Sequence, residues 1–356
     1  INKGLIEHGW TFINIDDGWE APERSSDGTL NPNTKFPNMK ELTSYIHSQG
    51  LKMGIYSSPG PRTCGGYLAS YLNEHKDAKT WADLGIDYIK YDWCSYGDIA
   101  KNSSLEELQK PYFVMQDALK KCNRDIVFSL CQYGMGDVWE WGAKVGGNLW
   151  RTTGDITDNW SSLSGIGFSQ TKNTKFSGPG HWNDPDMLIV GKVGWGPSLH
   201  NTHLTTDEQY THITLWSLLA APLLIGCDMS QLDDFTLNLL CNDEVIDVNQ
   251  DPLGQQAAPV KNNDGIQIWM RPLEDHSYAV GVFNVGNKNE LTELVNWDSN
   301  PLNVKTVKVL FSDLKLKGKF KVRDIWRQKN LEVKGNSIDV KVPHHGVAFL
   351  KITPVK

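Results

Sequence analysis

The chain has 356 residues and a formal charge of −7, with a pI near 5.8, so it offers no continuous basic surface for a nucleic-acid backbone. Its length exceeds one small domain and suits a barrel of roughly 250 residues with an appendage of about 100. No run of about 18 apolar residues occurs, so no membrane-spanning segment is expected, and six cysteines are too few for a dense disulfide scaffold.

The chain opens on INKGLIEHGWTFINID, which reads as the second half of an amphipathic helix running straight into a strand. Further chain upstream, an opening strand included, is therefore expected. Strand-like runs follow near 11–15, 51–56, 87–91, 126–131, 147–151 and 222–227. Helical patterns at 38–49, 74–84, 105–122, 137–144 and 207–221 separate them. That alternation predicts βα units and a parallel sheet. Five hydrophobic runs end in, or just before, an aspartate: FINIDD (12–17), YIKYD (88–92), LWRTTGD (149–155), HWNDPD (181–186) and LLIGCD (223–228). Acid-tipped parallel strands suit a closed barrel with a carboxylate-lined pocket at its C-terminal mouth. No G-x-G-x-x-G follows the first strand, which counts against a dinucleotide-binding sheet.

QDPLGQQAAP (250–259) changes the texture. After it come GIQIWMRPL, SYAVGVFNV, KTVKVLFSD, FKVRDIW, IDVKVP and GVAFLKI, short alternating segments without a long helix. They predict an antiparallel β-sandwich. The expected division is a catalytic (β/α)8 TIM barrel over 1–255, its first strand lying upstream, and a C-terminal β-sandwich over 256–356.

Several acids are placed for chemistry. Alternation in YIKYDWC puts Lys90 and Asp92 on one strand face, the face that lines the pocket of a barrel. An ionised carboxylate there is a nucleophile candidate; a structural Lys–Asp pair is an equally good reading. A retaining glycosidase needs a second, initially protonated carboxyl about 5–5.5 Å away. Asp155, on a glycine-containing turn, can supply it, as can Asp158, though capping a following helix is the commoner fate of such an acid. The Asp16–Asp17 pair needs something that binds both, either sugar hydroxyls or a divalent metal. Trp10 and Trp19 flank that pair, and aromatic rings stack on the apolar faces of sugars. The acids lack the histidine spacing of a zinc site and the EF-hand pattern, so no metal and no cofactor are expected in catalysis. Cys64 follows a Pro-Gly-Pro loop and Cys94 stands two residues past a strand end. Both fall at one rim, where a bridge can form, and a bridge there places the protein in a secreted, periplasmic or lysosomal setting.

Taken together, IDDGW (15–19), GIYSSPG with TCGG (54–66), YIKYDWC (88–94), SLCQY (129–133), WRTTGDI (150–156), GPGHWNDPDML (178–188) and VIDVNQDPLG (245–254) resemble glycoside hydrolase family 27 of clan D. That family comprises α-galactosidases and α-N-acetylgalactosaminidases, and the likeness runs in order over nearly the whole barrel. It implies a retaining exo-glycosidase that removes terminal α-linked D-galactose from oligosaccharides or galactomannan without a cofactor. Asp92 would be the nucleophile and Asp155 the acid/base. Asp16 and Asp17 would hold the 4- and 6-hydroxyls, Lys90 the 3- and 4-hydroxyls, and Arg151 the 2-hydroxyl. Tyr56, Cys131, Tyr133 and Asp186 would complete the pocket wall, and Cys64–Cys94 would be the pocket-side disulfide. The bulk of Tyr133 favours a plain 2-hydroxyl over an acetamide, while Gln132 departs from the acid some members carry. Asp17 argues against the branch that cleaves β-L-arabinopyranosides. The alternatives are an α-N-acetylgalactosaminidase and a non-catalytic galactose-binding protein.

Overall fold

The structure, a computed structural model, describes residues 1–194, 198–286 and 304–355. The chain divides into two compact units, one of Ile1 with Gly9–Gly154 and the other of Asn2–His8 with Asp155–Lys356.

In the first unit strands and helices alternate: β1 (Phe12–Asn14), α1 (Met39–Ser48), β2 (Lys52–Ser57), α2 (Glu74–Leu84), β3 (Tyr88–Tyr91), α3 (Leu105–Lys120), β4 (Val127–Leu130), α4 (Val138–Trp141) and β5 (Leu149–Arg151). The five strands are parallel and lie in chain order. Asn14 pairs with Gly54, Tyr56 with Lys90, Lys90 with Ser129, and Ser129 with Leu149. Every predicted strand up to residue 151 is present; β2 to β5 are short runs largely buried on both faces, as parallel strands are, while β1 exposes Phe12 and Asn14. In β2 all residues after Lys52 are buried. The helices start where polar side chains satisfy their first amides: Asn38 Oδ1 accepts from Glu41 N at 3.1 Å. Gly85 ends α2 in the left-handed region at φ 90°, as a helix C-cap prefers. Inside the sheet, a Cβ on Gly54 would stand 1.8 Å from Asn14 Oδ1, so glycine there makes room for a polar side chain of the neighbouring strand.

The second unit contains α5 (Trp160–Phe168), β6 (Trp182–Asp184), the two-residue strands β7 (Lys192–Val193) and β8 (His200–Asn201), α6 (Thr206–Leu218), α7 (Asp234–Leu240) and α8 (Asp243–Asn249). A strand expected at 222–227 is reduced to one parallel bridge between Ile225 and Leu188. Pro222 has no amide to give to a ladder. Helix α6 opens on a capping box between Thr205 and Glu208 and is buried on almost every face. Two of its threonines are hydrogen-bonded within the unit, while His212 Nδ1 and Ser217 Oγ are buried with no hydrogen-bond partner among the described residues. Thr214 Oγ1 accepts from Trp326 Nε1 at 2.7 Å, and Thr211 Oγ1 donates to His345 O at 2.6 Å.

Among the described residues, eight antiparallel strands follow: β9 (Ala258–Asn263), β10 (Ile266–Pro272), β11 (Tyr278–Asn284), β12 (Lys305–Leu310), β13 (Phe320–Asp324), β14 (Lys329–Leu331), β15 (Ser337–Val342) and β16 (Val347–Pro354). One sheet runs β14-β13-β16-β11-β10-β9, and β12 pairs with β15 in a second. Ile268, Val280, Val282, Val322 and Leu350 from the first pack with Val309, Ile338, Val340 and Val342 from the second in one core. All six predicted segments are strands; β9 and β14 were not predicted, being polar and short. Among the described residues no helix is long and apolar enough to cross a membrane.

Candidate active site

In the first unit the strand ends bring together most of the predicted residues. Asp92 follows β3 directly and is 4% exposed. Its Oδ2 accepts from the Tyr56 hydroxyl at 2.9 Å; its Oδ1 accepts from the Tyr133 hydroxyl at 2.6 Å and from Trp93 N at 2.8 Å. Tyr112 donates to the Asp92 backbone carbonyl at 3.0 Å. Three donors thus orient one carboxylate, which as an acceptor can serve them all. Burial, then the Asp92 charge, pushes the Tyr56 phenol far above its ordinary range, so it remains a hydrogen-bond donor.

Lys90 pairs with Asp16 Oδ2 at 2.9 Å and lies 5.3 Å over the Tyr56 ring. Burial opposes its charge, but Cys131, Asp16 and Asp92 outweigh burial and hold the ammonium above the usual lysine range. The expected partnership of Lys90 with Asp92 is therefore shared with Asp16. Asp16 Oδ1 accepts from Asp17 N at 2.8 Å, and Asp17 Oδ2 from Gly65 N at 2.6 Å. Asp17 Oδ1 is buried with no hydrogen-bond partner among the described residues. Such an acceptor is costly unless a ligand donor reaches it.

Cys64 and Cys94 form the expected disulfide, with Cα atoms 5.1 Å apart. Its sulfurs lie against the hydroxyls that hold Asp92: Cys94 Sγ is 3.6 Å from that of Tyr56, and Cys64 Sγ 3.7 Å from that of Tyr133. The bridge therefore braces the nucleophile candidate's partners. Tyr133 reaches Asp92 from a left-handed backbone, φ 64°, which a bulky side chain adopts only under constraint. Gly134 behind it lies where a Cβ would be 2.3 Å from Thr152 O. Arg151 Nη1 contacts Cys131 Sγ at 3.6 Å, and its guanidinium stands 6.0 Å from the Tyr133 ring centroid.

Trp19 differs from expectation. It is 0% exposed, and its indole donates to Tyr56 O at 2.9 Å. Its ring supports β2 from within the core and does not present a face to a sugar.

Glu20, which sequence reasoning passed over, is 1% exposed. Its Oε2 accepts from Gly18 N at 3.0 Å. Burial, with the Asp17 charge adding, pushes its carboxyl up to about 8. The signal was there in an acid directly after the Asp-Asp-Gly-Trp turn. A carboxyl kept neutral in the fold favours the folded state fully below about pH 4.5, and that contribution is lost as pH rises through about 8. Glu20→Gln cannot ionise, so its stability relative to wild type is expected to improve across that window, by roughly 3 kcal/mol at pH 7. Thermal melts of both proteins from about pH 4 to 9 check this; parallel curves would refute it.

The second unit holds the remaining predicted acids. Asp155 lies exposed on the turn before α5. The helix is capped by Asn159, whose Oδ1 accepts from Ser162 N at 3.0 Å, so Asp155 does not cap it. Asp186 Oδ2 accepts from Ile156 N at 2.8 Å, its Oδ1 from Met187 N at 2.8 Å, and its carbonyl from Trp216 Nε1 at 2.7 Å. Asp186 thus anchors the residue next to Asp155. Asp158, the other acid/base candidate, is engaged elsewhere, with Oδ2 3.1 Å from His200 Nε2 and 2.9 Å from His203 Nδ1. Burial works against its charge, but His203 and His200 outweigh it and lower its carboxyl below the ordinary range, which makes a poor proton donor.

The family model described as alpha galactosidase A matches residues 1–251, and that of the alpha galactosidase C-terminal beta sandwich domain matches 263–352. The chain is 40% identical over 362 residues to the probable alpha-galactosidase of Dictyostelium discoideum, covering 99% of this chain and 86% of that one. It is 39% identical over 357 residues to the alpha-galactosidase of Cyamopsis tetragonoloba, covering 99% and 80%. Alpha-galactosidase I from Mortierella vinacea has a solved structure that aligns with a TM-score of 0.87 at 31% identity, over 99% of this chain and 91% of that one. The fold class is the predicted one, a TIM barrel followed by an antiparallel β-sandwich.

Proposed function

The chain belongs to the α-galactosidase (melibiase) family and is a hydrolase of α-galactosides; from that membership we propose a retaining exo-glycosidase that removes terminal α-linked D-galactose. Asp92 attacks the anomeric carbon as the glycosidic C–O bond breaks, and Asp155 delivers its proton to the departing oxygen. A galactosyl ester on Asp92 results. Asp155, now a carboxylate, takes a proton from water. The water oxygen bonds to the anomeric carbon and releases Asp92, giving galactose with its α configuration retained. The observation that carries this reading is the Asp92 carboxylate, oriented by Tyr56, Tyr133 and Trp93 N.

Asp16, Asp17 and Lys90 take the sugar's 3-, 4- and 6-hydroxyls, with the buried, unmatched Asp17 Oδ1 accepting from one of them. Galactose differs from glucose in its axial 4-hydroxyl, and buried acceptors discriminate such a group far better than an apolar wall does. Arg151, Cys131 and Tyr133 close the space at the 2-position, and Asp186 steadies the turn that bears Asp155. Residues 1–255 form the catalytic domain and 256–356 the sandwich domain. The substrates are oligosaccharides or galactomannan with terminal galactose. The Cys64–Cys94 bridge supports an oxidising setting, whether secreted, periplasmic or lysosomal.

The test follows hydrolysis of the nitrophenyl α-galactoside by proton NMR beside that of the α-N-acetylgalactosaminide. Retention predicts α-galactose as the first product, with the galactoside preferred at least about tenfold. First-formed β-galactose would overturn the mechanism, and a preference for the acetamido sugar would overturn the specificity.

A further inference from the structure

Outside the proposed catalytic residues, two histidines and an aspartate converge. Asp158 lies on the turn before α5; His200 lies in β8, and His203 three residues further on. Their donor atoms all stand within 4.8 Å of one another. His200 Nε2 is 3.1 Å, and His203 Nδ1 2.9 Å, from the same Asp158 oxygen. His203 N also donates to that oxygen at 2.9 Å, which fixes the carboxylate in place. The two imidazole rings lie 4.7 Å apart.

The tautomer of His200 decides what the cluster requires. Its Nδ1 is 2.9 Å from the carbonyl of Ser198, and a carbonyl can only accept, so Nδ1 carries the proton. In a neutral ring, Nε2 then turns a lone pair toward a carboxylate oxygen. That arrangement is repulsive unless a cation sits between them, either a second ring proton or a metal ion. Fixing one ring nitrogen on a backbone carbonyl so that the other is a lone-pair donor is the usual support of a metal-ligating histidine.

We propose that Asp158, His200 and His203 bind a divalent transition-metal ion, zinc foremost, through one oxygen and two nitrogens. Ligands about 2.1 Å from a zinc ion stand roughly 3–3.5 Å apart, close to the separations present. Imidazole with carboxylate suits zinc, copper or nickel and not the all-oxygen shells of calcium and magnesium. The side chains of His200 and His203 are 39% and 71% exposed, so water completes the coordination and the ion enters from solvent. The bound ion ties the turn that carries Asp155 to the 198–203 segment without taking part in the proposed displacement. Protons compete for the same ring nitrogens. Occupancy therefore falls in acid.

The experiment titrates zinc chloride into the full chain, carrying no histidine tag, by calorimetry at about pH 7.5 and again at about pH 5.5. Cobalt(II) absorption reports the coordination. One zinc per chain is expected, with affinity at least about tenfold weaker at the lower pH. His203→Ala removes a largely exposed ring and should leave the fold intact while weakening zinc about a hundredfold; His200→Ala should do the same. Absence of stoichiometric binding up to about millimolar zinc would overturn the proposal. So would a folded His203→Ala protein that binds zinc as tightly as wild type.

Discussion

Asp92→Asn is expected to cut kcat on nitrophenyl α-galactoside by on the order of 10⁴-fold or more. The amide keeps the size and shape of the side chain, so Tyr56, Tyr133 and Trp93, which now converge on it, still find a planar group. What is lost is the negative oxygen proposed to form the covalent bond, together with charge-assisted hydrogen bonds. Galactose binding should survive, because Asp16, Asp17 and Lys90, the proposed hydroxyl ligands, are untouched. A smaller variant, Asp92→Gly, opens space for azide. That anion should restore turnover by attacking from the vacated side, giving β-galactosyl azide. Measuring kcat, galactose affinity and the azide product separates a lost nucleophile from a damaged fold. Near-wild-type turnover in the asparagine protein would exclude Asp92 from the chemistry.

Asp155→Ala should behave differently, and the difference is the diagnostic. Loss of a general acid costs about 10²–10⁴-fold, most for a sugar leaving group that needs a proton. Nitrophenolate leaves unaided, so its galactoside should suffer less in forming the ester and should stall at hydrolysis of that ester. Azide should then accelerate turnover and give α-galactosyl azide, because it replaces the water that Asp155 is proposed to activate. The limb of the pH–rate profile that reports the acid should vanish. Equal losses on both leaving groups, with no response to azide, would mean that Asp155 is not the acid/base. Asp158, already engaged by His200 and His203, would then be the next acid to vary.

Much of this protein can be read along the chain, for reasons of local chemistry. Runs such as KMGIYS and YIKY could only be buried parallel strands, and they are. The change of texture after residue 250 marked the antiparallel strands, since alternating β-branched and aromatic residues fit a half-buried pleated surface. The strand ends pointed to Asp16, Asp17, Lys90 and Asp92, and the family resemblance added Tyr133 and Arg151; all six lie in one unit. Reading failed where long-range packing overrides local pattern. PLLIGC looks like a strand but makes one bridge, and Trp19 looks like a sugar platform but is spent inside the core.

Local order thus follows from side-chain periodicity and turn chemistry, which are properties of neighbouring residues. The protonation and partners of each acid are another matter. Glu20 is pushed up by burial, Lys90 answers to Asp16 as well as Asp92, and Asp158 meets histidines more than forty positions away. Dehydration and Coulomb energy depend on distance through space, and only the folded chain sets those distances.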